Sequence, residues 1–172
     1  MAHYGLTETA MGPMLVAVEG KRLIAVKFGV DERRLPAAVE ELHRELHGRF
    51  ELQRSDAKVR PVAKQLREYL AGKRDRFDVQ LDLTWVTPFR RAVLEECARI
   101  PRGQVATYAE LARRVGRPTA YRAVGNTMRT NPIPIVIPCH RVVGSDGGLT
   151  GFGGGLEMKR RLLALEGAAL AL

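Results

Sequence analysis

The chain has 172 residues, of which 45% are hydrophobic and 27% are charged, a composition typical of one globular domain or two small ones. No apolar run approaches membrane-spanning length, and no basic run precedes an apolar stretch at the N-terminus, so we expect neither a membrane association nor a signal peptide. Two cysteines cannot build a disulfide framework, and their spacing matches no zinc motif. This cysteine usage favours a reducing, intracellular setting.

The net charge of +9 is unevenly distributed along the chain. Residues 1–84 carry 15 Lys and Arg against 13 Asp and Glu, a net of +2, whereas residues 85–172 carry 13 against 6, a net of +7. An Arg-rich proteome would raise the charge everywhere and would not segregate it. The excess positive charge of the C-terminal half therefore predicts that this half binds a polyanionic partner.

The first half of the chain has the pattern of a small α/β unit. The turn Glu19-Gly20-Lys21 between two apolar runs predicts a β-hairpin. The predicted strands are 14–18, 23–28 and 76–83, and the predicted amphipathic helices are 35–47 and 59–70. His43 and His47 lie four residues apart, a spacing that could bind a metal on a helix, but a solvated helix face is the simpler interpretation, and we expect no metal.

The second half begins with a helix that Thr87 caps and Pro88 opens. Phe89, Val93 and Ile100 share a face of this helix with Cys97, which predicts that Cys97 is a core residue. We place a domain boundary near residues 82–86.

Two short helices joined by a tight turn follow, and their arrangement is typical of a helix-turn-helix. Thr107 and Glu110 form a capping-box pattern at the first helix, and Thr119 or Pro118 begins the second. Residues 107–131 hold five Arg and one acid, which favours DNA binding over a purely structural motif. The small residues Ala120, Ala123 and Gly125 would let the second helix approach a groove closely.

Residues 131–143 contain Pro132, Pro134 and Pro138, which exclude a helix. The apolar run 135–137 predicts a buried, extended segment that ends at Cys139. Because His140 and Arg141 follow at once, and nearby cations lower the pKa of a thiol, a thiolate site is one interpretation. A buried structural cysteine is the other, and the local pattern does not decide between them.

The glycine-rich stretch 144–155 matches neither a Walker loop nor a dinucleotide-binding motif, so it gives no evidence for a nucleotide cofactor. It is either a pocket wall or a flexible loop, and Asp146-Gly147 within it predicts a hairpin. A last helix over 156–166 ends at Gly167. Glu166 in its last turn opposes the helix dipole, which hints at a separate role.

The motif Ile137-Pro-Cys-His-Arg-Val142, with Arg122-Ala-Val-Gly125 before it and Leu165-Glu-Gly167 after it, resembles the O6-alkylguanine-DNA alkyltransferases, also called methylated-DNA–protein-cysteine methyltransferases. The resemblance is strong over 87–167 and looser over 12–29. It implies a ribonuclease H-like α/β domain over 1–84, followed by a mostly α domain with a winged-helix-like helix-turn-helix over 85–172.

The resemblance also implies DNA repair by direct damage reversal. One alkyl group moves irreversibly from O6-alkylguanine, and from O4-alkylthymine, to Cys139 after the base has been flipped out of double-stranded DNA, with no cofactor. In this family His140 would withdraw the thiol proton through a water, and Glu166 would orient His140. Asn131 would link the second helix to the site, and the Tyr108 hydroxyl would support the departing guanine.

For DNA, the resemblance implies a recognition helix in the minor groove, with Arg122 entering the duplex in place of the extruded base. The implied DNA contacts are Arg122, Thr119, Ala120, Tyr121, Ala123 and Arg129. The implied base pocket consists of Met128, Pro134, Val142, Phe152, Gly153 and Gly154. Tyr121 stands where relatives often have a small residue, and Phe152 where some have Tyr. Some relatives hold zinc in the N-terminal domain, but this chain has no Cys before Cys97 to bind it.

Three other functions are less consistent with the sequence. A non-catalytic lesion binder of the alkyltransferase-like type lacks the cysteine that is present here. A Cys-His hydrolase needs a direct dyad, whereas adjacent residues of an extended segment point to opposite sides. A transcription regulator leaves the Cys139, His140 and Glu166 set without a role. We expect a monomer in the cytoplasm, associated with the nucleoid in a prokaryote or nuclear in a eukaryote, and leave cooperativity on DNA open.

Overall fold

A computed structural model describes residues 1–168, which divide into two compact units, Met1–Trp85 and a second that begins at Val86. The sequence put this boundary one residue earlier, and the last four positions of the predicted second domain, 169–172, lie outside the described residues. No helix in the described part of the chain is long and apolar enough to cross a membrane.

The first unit is a five-stranded sheet with two helices. The strands are β1 (Ala2–Thr9), β2 (Gly12–Glu19), β3 (Arg22–Phe28), β4 (Leu52–Arg54) and β5 (Gln80–Leu81), and the helices are α1 (Leu35–Glu45) and α2 (Asp56–Leu70). The sheet order is β4-β1-β2-β3-β5, with β1, β2 and β3 antiparallel and both edge strands parallel to their neighbours. The predicted hairpin at 19–21 is confirmed as the β2–β3 turn.

The central strand β2 is buried on both faces, which explains its uninterrupted apolar run. Leu15 and Ala17 pack with Leu42 of α1. On the other face α2 lies directly against β1 at Gly5, where an added Cβ would come within 2.6 Å of the Asp56 and Val59 side chains. Glycine is therefore required at this position for α2 to reach the sheet.

Three predictions for this unit are wrong. The alternating stretch 76–83 pairs with the sheet only over Gln80–Leu81. The second helix begins at Asp56 rather than Val59, because Ser55 caps it by accepting a hydrogen bond from the Lys58 N–H. The first helix ends at Glu45, so His47, with φ of +51°, lies beyond it and does not share a helix face with His43.

The second unit contains four helices and a short parallel strand pair in its described residues. The helices are α3 (Pro88–Ala98), α4 (Tyr108–Arg114), α5 (Tyr121–Arg129) and α6 (Leu156–Leu165), and the strands are β6 (Ala106–Thr107) and β7 (Val142–Val143). One 3₁₀ turn, Cys139–Arg141, immediately precedes β7. Thr87 caps α3 and Cys97 is fully buried in it, as the sequence predicted.

Helices α4 and α5 form the predicted helix-turn-helix. The capping box is confirmed, because Thr107 Oγ1 accepts from the Glu110 N–H at 3.1 Å and Glu110 Oε2 accepts from the Thr107 N–H at 3.2 Å. The prediction that Thr119 or Pro118 begins the second helix is wrong. The Ala120 N–H donates to the Arg117 carbonyl, which places Thr119 inside a turn, and α5 starts at Tyr121 without a side-chain cap.

We expect Thr107→Ala to destabilise the protein by about 1 kcal/mol, because the Glu110 N–H at the start of α4 loses its side-chain acceptor. The matched control is Thr119→Ala, which removes an exposed hydroxyl that caps no helix and should leave stability unchanged. Urea unfolding followed by circular dichroism measures both variants. Equal losses for the two would contradict the assigned helix starts.

Candidate active site

The segment that leads to Cys139 is buried, as predicted, but it is not extended. The Val136 N–H donates to the Pro134 carbonyl at 2.9 Å, and the Cys139 N–H donates to the Ile137 carbonyl at 2.8 Å. Each bond closes a three-residue γ-turn. Proline has no N–H for a sheet ladder, so this proline-rich stretch closes its hydrogen bonds locally and folds into tight turns.

The first of these turns holds Ile135 at φ of +72°, a region that β-branched residues rarely enter. Such a conformation costs about 1–3 kcal/mol and persists only where surrounding structure enforces it. Here the Ile135 side chain is buried, and its neighbours Ile133 and Ile137 are fully buried. The strain therefore resides in a rigid support that determines where the Cys139 backbone lies.

Asn131 connects helix α5 to this support. Its N–H donates to the Met128 carbonyl at the end of α5. Its side-chain Nδ2 donates to the Ile137 carbonyl at 2.9 Å, and its Oδ1 accepts from the Ile133 N–H at 3.0 Å. The same amide group also bonds to the Cys139 thiol. Asn131 thus bonds to the helix end through its backbone, and to the proline-rich turns and the sulfur through its side chain.

Cys139 begins the 3₁₀ turn and is only 6% exposed. Burial raises the pKa of the Cys139 thiol to about 11, although the Asn131 hydrogen bond and the charge of Lys159 act in the opposite direction. The two side chains that suggested the thiolate interpretation, His140 and Arg141, are both directed to Glu166. The thiol is therefore protonated at neutral pH, and its reaction requires a base.

His140 is fully buried beside the sulfur-bearing residue. Its Nε2 lies 3.0 Å from Oε2 of Glu166, and its Nδ1 is buried without a hydrogen-bond partner in the described chain. Burial lowers the pKa of His140, while the adjacent Glu166 carboxylate raises it. The imidazole is consequently neutral near pH 7 and can accept a proton. The 3₁₀ turn also replaces the predicted extended geometry, so the argument from opposite strand faces does not hold.

Glu166, at the C-terminal end of α6, binds a second residue through both oxygens. Arg141 donates from Nε to Oε1 at 2.9 Å and from Nη2 to Oε2 at 2.8 Å, and its Nη1 donates to the Ile100 carbonyl at 2.7 Å. This two-point pairing offsets the unfavourable helix-dipole position that the sequence analysis noted. Sequence reasoning did not predict the bond between Arg141 and Glu166.

The glycine-rich loop contributes two contacts to the site. The Thr150 hydroxyl is hydrogen-bonded to the Tyr108 hydroxyl, and the Phe152 ring lies edge-on to His140, with ring centroids 6.4 Å apart. The hairpin predicted at Asp146-Gly147 does not form. A turn closes there, with the Gly144 N–H bonded to the Gly148 carbonyl, and the chain continues as a loop to Gly155.

The remaining predicted pocket residues differ in exposure. Met128, Pro134 and Val142 are buried, Gly154 is half-buried, and Gly153 is exposed with open space around it. Two residues that the sequence analysis did not select, Thr150 and Lys159, also lie in this region. Lys159 donates to the Val142 carbonyl at 2.7 Å and to the Thr150 carbonyl at 3.3 Å.

The outer face of the helix-turn-helix carries the predicted DNA contacts. Thr119, Tyr121, Arg122, Ala123 and Arg129 are exposed, and Ala120 is half-buried. The opposite face of α5 is buried through Val124, Thr127 and Met128. Gly125 differs from the expectation, since an added Cβ there would face the Tyr108 ring at 3.8 Å rather than open space.

Comparison with known proteins identifies the family. Residues 2–83 match the ribonuclease-like domain of 6-O-methylguanine DNA methyltransferase, and residues 88–168 match its DNA-binding domain. The chain belongs to this family. The methylated-DNA–protein-cysteine methyltransferase of Methanosarcina barkeri is 38% identical over 95% of this chain and 96% of its own length. The inducible enzyme of the same name from Bacillus subtilis is 42% identical over 74% and 73%.

Solved structures agree with the sequence matches. The O6-methylguanine methyltransferase of Mycobacterium tuberculosis superposes with a TM-score of 0.79 at 35% identity, covering 100% of this chain and 97% of its own. The M. tuberculosis OGT in complex with DNA has a TM-score of 0.80, covering 96% and 92%. The predicted fold class is confirmed for both halves. No group of three His, Cys, Asp or Glu residues within 1–168 could hold a metal ion.

We expect Glu166→Ala to destabilise the protein by about 3–5 kcal/mol, because it leaves the Arg141 guanidinium buried without its carboxylate. Glu157→Ala, near the other end of α6, is the matched control: Glu157 pairs with Arg160 but is exposed, so its loss should not change stability measurably. Chemical denaturation of both variants is the measurement. A loss at position 166 as small as that at 157 would show that the buried network is not structural.

Proposed function

We propose that this protein repairs DNA by moving the alkyl group of O6-alkylguanine onto Cys139, as a methylated-DNA–protein-cysteine methyltransferase. The observation that carries the proposal is the buried Cys139 beside a neutral His140 that is bound to Glu166. The names of the relatives describe this activity, and one relative has been crystallised in complex with DNA. The exposed arginines of the helix pair supply the complementary charge for a phosphate backbone.

The first step is deprotonation of the thiol. A water passes the Cys139 proton to Nδ1 of His140, the ring nitrogen that has no protein partner in the described residues. Glu166 then stabilises the imidazolium through Nε2. Because the thiol pKa is about 11, this transfer is needed before the sulfur can attack at neutral pH.

In the second step the sulfur lone pair forms a bond to the alkyl carbon while the bond from that carbon to guanine O6 breaks. The bonding pair leaves with the guanine, which would depart as an anion unless a donor protonates it. Tyr108, whose hydroxyl is held by Thr150, is the proposed donor. The product is a thioether, which has no easy leaving group, so each protein molecule acts once.

The target carbon is inaccessible inside a duplex, so we propose that the base is flipped out. Arg122 would occupy the vacated space while α5 lies in the minor groove, with Thr119, Ala120, Ala123 and Arg129 against the strands. Tyr121 is 49% exposed beside Arg122 and would also face DNA. The loop from Phe152 to Gly154, with Met128, Pro134 and Val142, would line the base pocket, and O4-alkylthymine is a second proposed substrate.

A non-catalytic lesion binder is disfavoured because Cys139 is present and the hydrogen-bonded His140 and Glu166 accompany it. We propose that the protein works as a monomer where the DNA lies, in the nucleoid or nucleus. No step of the proposed chemistry calls for a cofactor.

Incubation with a duplex containing O6-methylguanine should add the mass of one methylene group to the peptide that holds Cys139, with one equivalent transferred per protein. Intact-protein and peptide mass spectrometry measure this transfer. Cys139→Ser should abolish the gain but retain affinity for the duplex, since the site of binding is unchanged. Repeated turnover, or a gain on another residue, would refute the proposed reaction.

Arg122→Ala should slow transfer from the duplex by about tenfold or more, yet leave the reaction with free O6-benzylguanine base nearly unchanged, because only the duplex substrate must be opened. Single-turnover rates with the two substrates give the comparison. Arg160→Ala, which removes an exposed arginine from α6, controls for the loss of one positive charge. If Arg122→Ala slowed both substrates equally, a role in flipping would be excluded.

A further inference from the structure

Thr150 is a half-buried residue of the glycine-rich loop that is held by three contacts. Its hydroxyl is hydrogen-bonded to the Tyr108 hydroxyl, and its carbonyl accepts from Lys159 Nζ at 3.3 Å. Its methyl group faces Gly144, where an added Cβ would lie 3.4 Å from Thr150 Cγ2. Together these contacts fix the backbone and the side-chain rotamer of Thr150, so its hydroxyl has a defined position beside Tyr108.

Tyr108 lies between this loop and the second helix of the helix-turn-helix. It is the first residue of α4, and its ring faces Gly125 of α5, where an added Cβ would be 3.8 Å from Tyr108 Cδ1. Within residues 1–168 the Tyr108 hydroxyl bonds only to Thr150, and Thr150 Oγ1 bonds only to Tyr108. Because each hydroxyl carries one hydrogen and can accept two bonds, the pair places one hydrogen between the two oxygens and leaves the other hydrogen unused.

The two ways of placing this hydrogen have different consequences. A phenol is a stronger acid than an alcohol, so in the free protein Tyr108 donates and Thr150 accepts. When an acceptor lies beside Tyr108, the opposite arrangement makes one more hydrogen bond, because Thr150 then donates to the phenolic oxygen and Tyr108 donates to the acceptor. The Thr150 hydrogen only has to rotate about the Cβ–Oγ1 bond, so this exchange requires no movement of heavy atoms.

We propose that Thr150 is a positioning residue that donates to the Tyr108 oxygen when the alkylated base is bound, and so makes the Tyr108 proton available to the leaving guanine. The inference rests on the proposed function, in which Tyr108 protonates that guanine. The proton moves from Tyr108 to the guanine as the bond between the alkyl carbon and O6 breaks, and the bonding pair leaves with the guanine. Water reprotonates the Tyr108 phenolate after the guanine has departed, and His140 returns the thiol proton to water.

The bond from Thr150 stabilises the transition state more than it stabilises the bound base. A hydrogen bond to an ionised acceptor is stronger than one to a neutral acceptor. The Tyr108 oxygen is neutral while the base is bound and becomes negative as its proton leaves, so the bond from Thr150 strengthens during the reaction. Loss of the Thr150 hydroxyl should therefore slow transfer by about three- to tenfold and leave binding of the base nearly unchanged.

The test compares Thr150→Val, which keeps the methyl contact but loses the hydroxyl, with Thr150→Ser, which keeps the hydroxyl. Two reactions of the same sulfur are measured by mass spectrometry in each variant. Transfer from free O6-benzylguanine needs a proton on its leaving group, whereas alkylation of Cys139 by iodoacetamide expels iodide, which needs none. We expect Thr150→Val to slow transfer at saturating O6-benzylguanine about three- to tenfold and to leave iodoacetamide labelling of the Cys139 peptide unchanged. Thr150→Ser should retain most of both rates.

Tyr108→Phe gives the second comparison. If Thr150 acts only through Tyr108, the double variant Tyr108→Phe with Thr150→Val should transfer no more slowly than Tyr108→Phe alone. Additive losses would overturn the inference, and so would equal slowing of both reactions by Thr150→Val, because either result would mean that Thr150 shapes the loop without acting on the leaving group. Circular dichroism checks folding, and Thr150→Ala, whose side chain is too small to clash, has the same expected result as Thr150→Val.

A readout on the unreacted protein separates this inference from the proposed function. In protein labelled with carbon-13 at tyrosine Cζ, the resonance that Tyr108→Phe removes belongs to one of the four tyrosines. Because this carbon responds to hydrogen bonding of the phenol, Thr150→Val should move the Tyr108 resonance and Thr150→Ser should not, and an unmoved resonance would overturn the inference.

The two proposals fail in different ways. No alkyl uptake by the unmodified protein would refute the proposed function, even if the Tyr108 resonance moved as expected. Normal uptake, with transfer as fast in Thr150→Val as in Thr150→Ser, would refute the inference alone.

Discussion

The Glu166 carboxylate is the interaction on which this site depends. It accepts two hydrogen bonds from Arg141 and faces Nε2 of His140, and all of these groups are buried. A carboxylate removed from water is stable only if its lone pairs are filled, and here the guanidinium fills them while leaving one oxygen shared with the imidazole. The same contacts join the end of α6 to the 3₁₀ turn. The position of His140 therefore follows from one buried anion, whereas burial, which lowers the pKa of His140 against the effect of that anion, keeps the imidazole neutral.

The site is built around a thiol that resists ionisation. Burial dominates over the favourable effects of Asn131 and Lys159, and this keeps the Cys139 proton in place at neutral pH. A permanently ionised thiolate would react with any small electrophile or oxidant that reached it. Under the proposed reaction, in which each molecule acts once, such a loss would remove a protein molecule that had repaired nothing. A protonated, buried sulfur beside an unprotonated His140 favours reaction only when a substrate is bound.

Sequence patterns predicted the parts of the fold that local chemistry determines. The hairpin at 19–21, the caps at Thr87 and Thr107 and the buried Cys97 follow from turn residues, N-cap side chains and helical spacing, and all are confirmed. The errors occur where tertiary contacts override the pattern. The stretch 76–83 alternates like a strand but pairs with β3 only at Gln80–Leu81, and Asp146-Gly147 forms a turn that joins no two strands. Thr119 has a side chain suited to an N-cap, but it lies inside the turn that precedes α5 and therefore does not cap this helix.

At the site, the motif indicated which residues take part. It did not indicate whether each residue raises or lowers the pKa of its neighbours. Cations next to Cys139 in sequence suggested a lowered thiol pKa, yet a side chain's influence depends on where its charge is directed. Arg141 is bound to the Glu166 carboxylate, 25 residues further along the chain. Lys159, 20 residues after Cys139 on helix α6, instead lowers the pKa of the Cys139 thiol. Neither relation has a local signal. What the sequence does contain is an anomaly at each place: an acid at the wrong end of a helix dipole, and a lysine at a position that the helix buries. Charges that conflict with their local setting are thus the best sequence evidence for contacts formed only on folding.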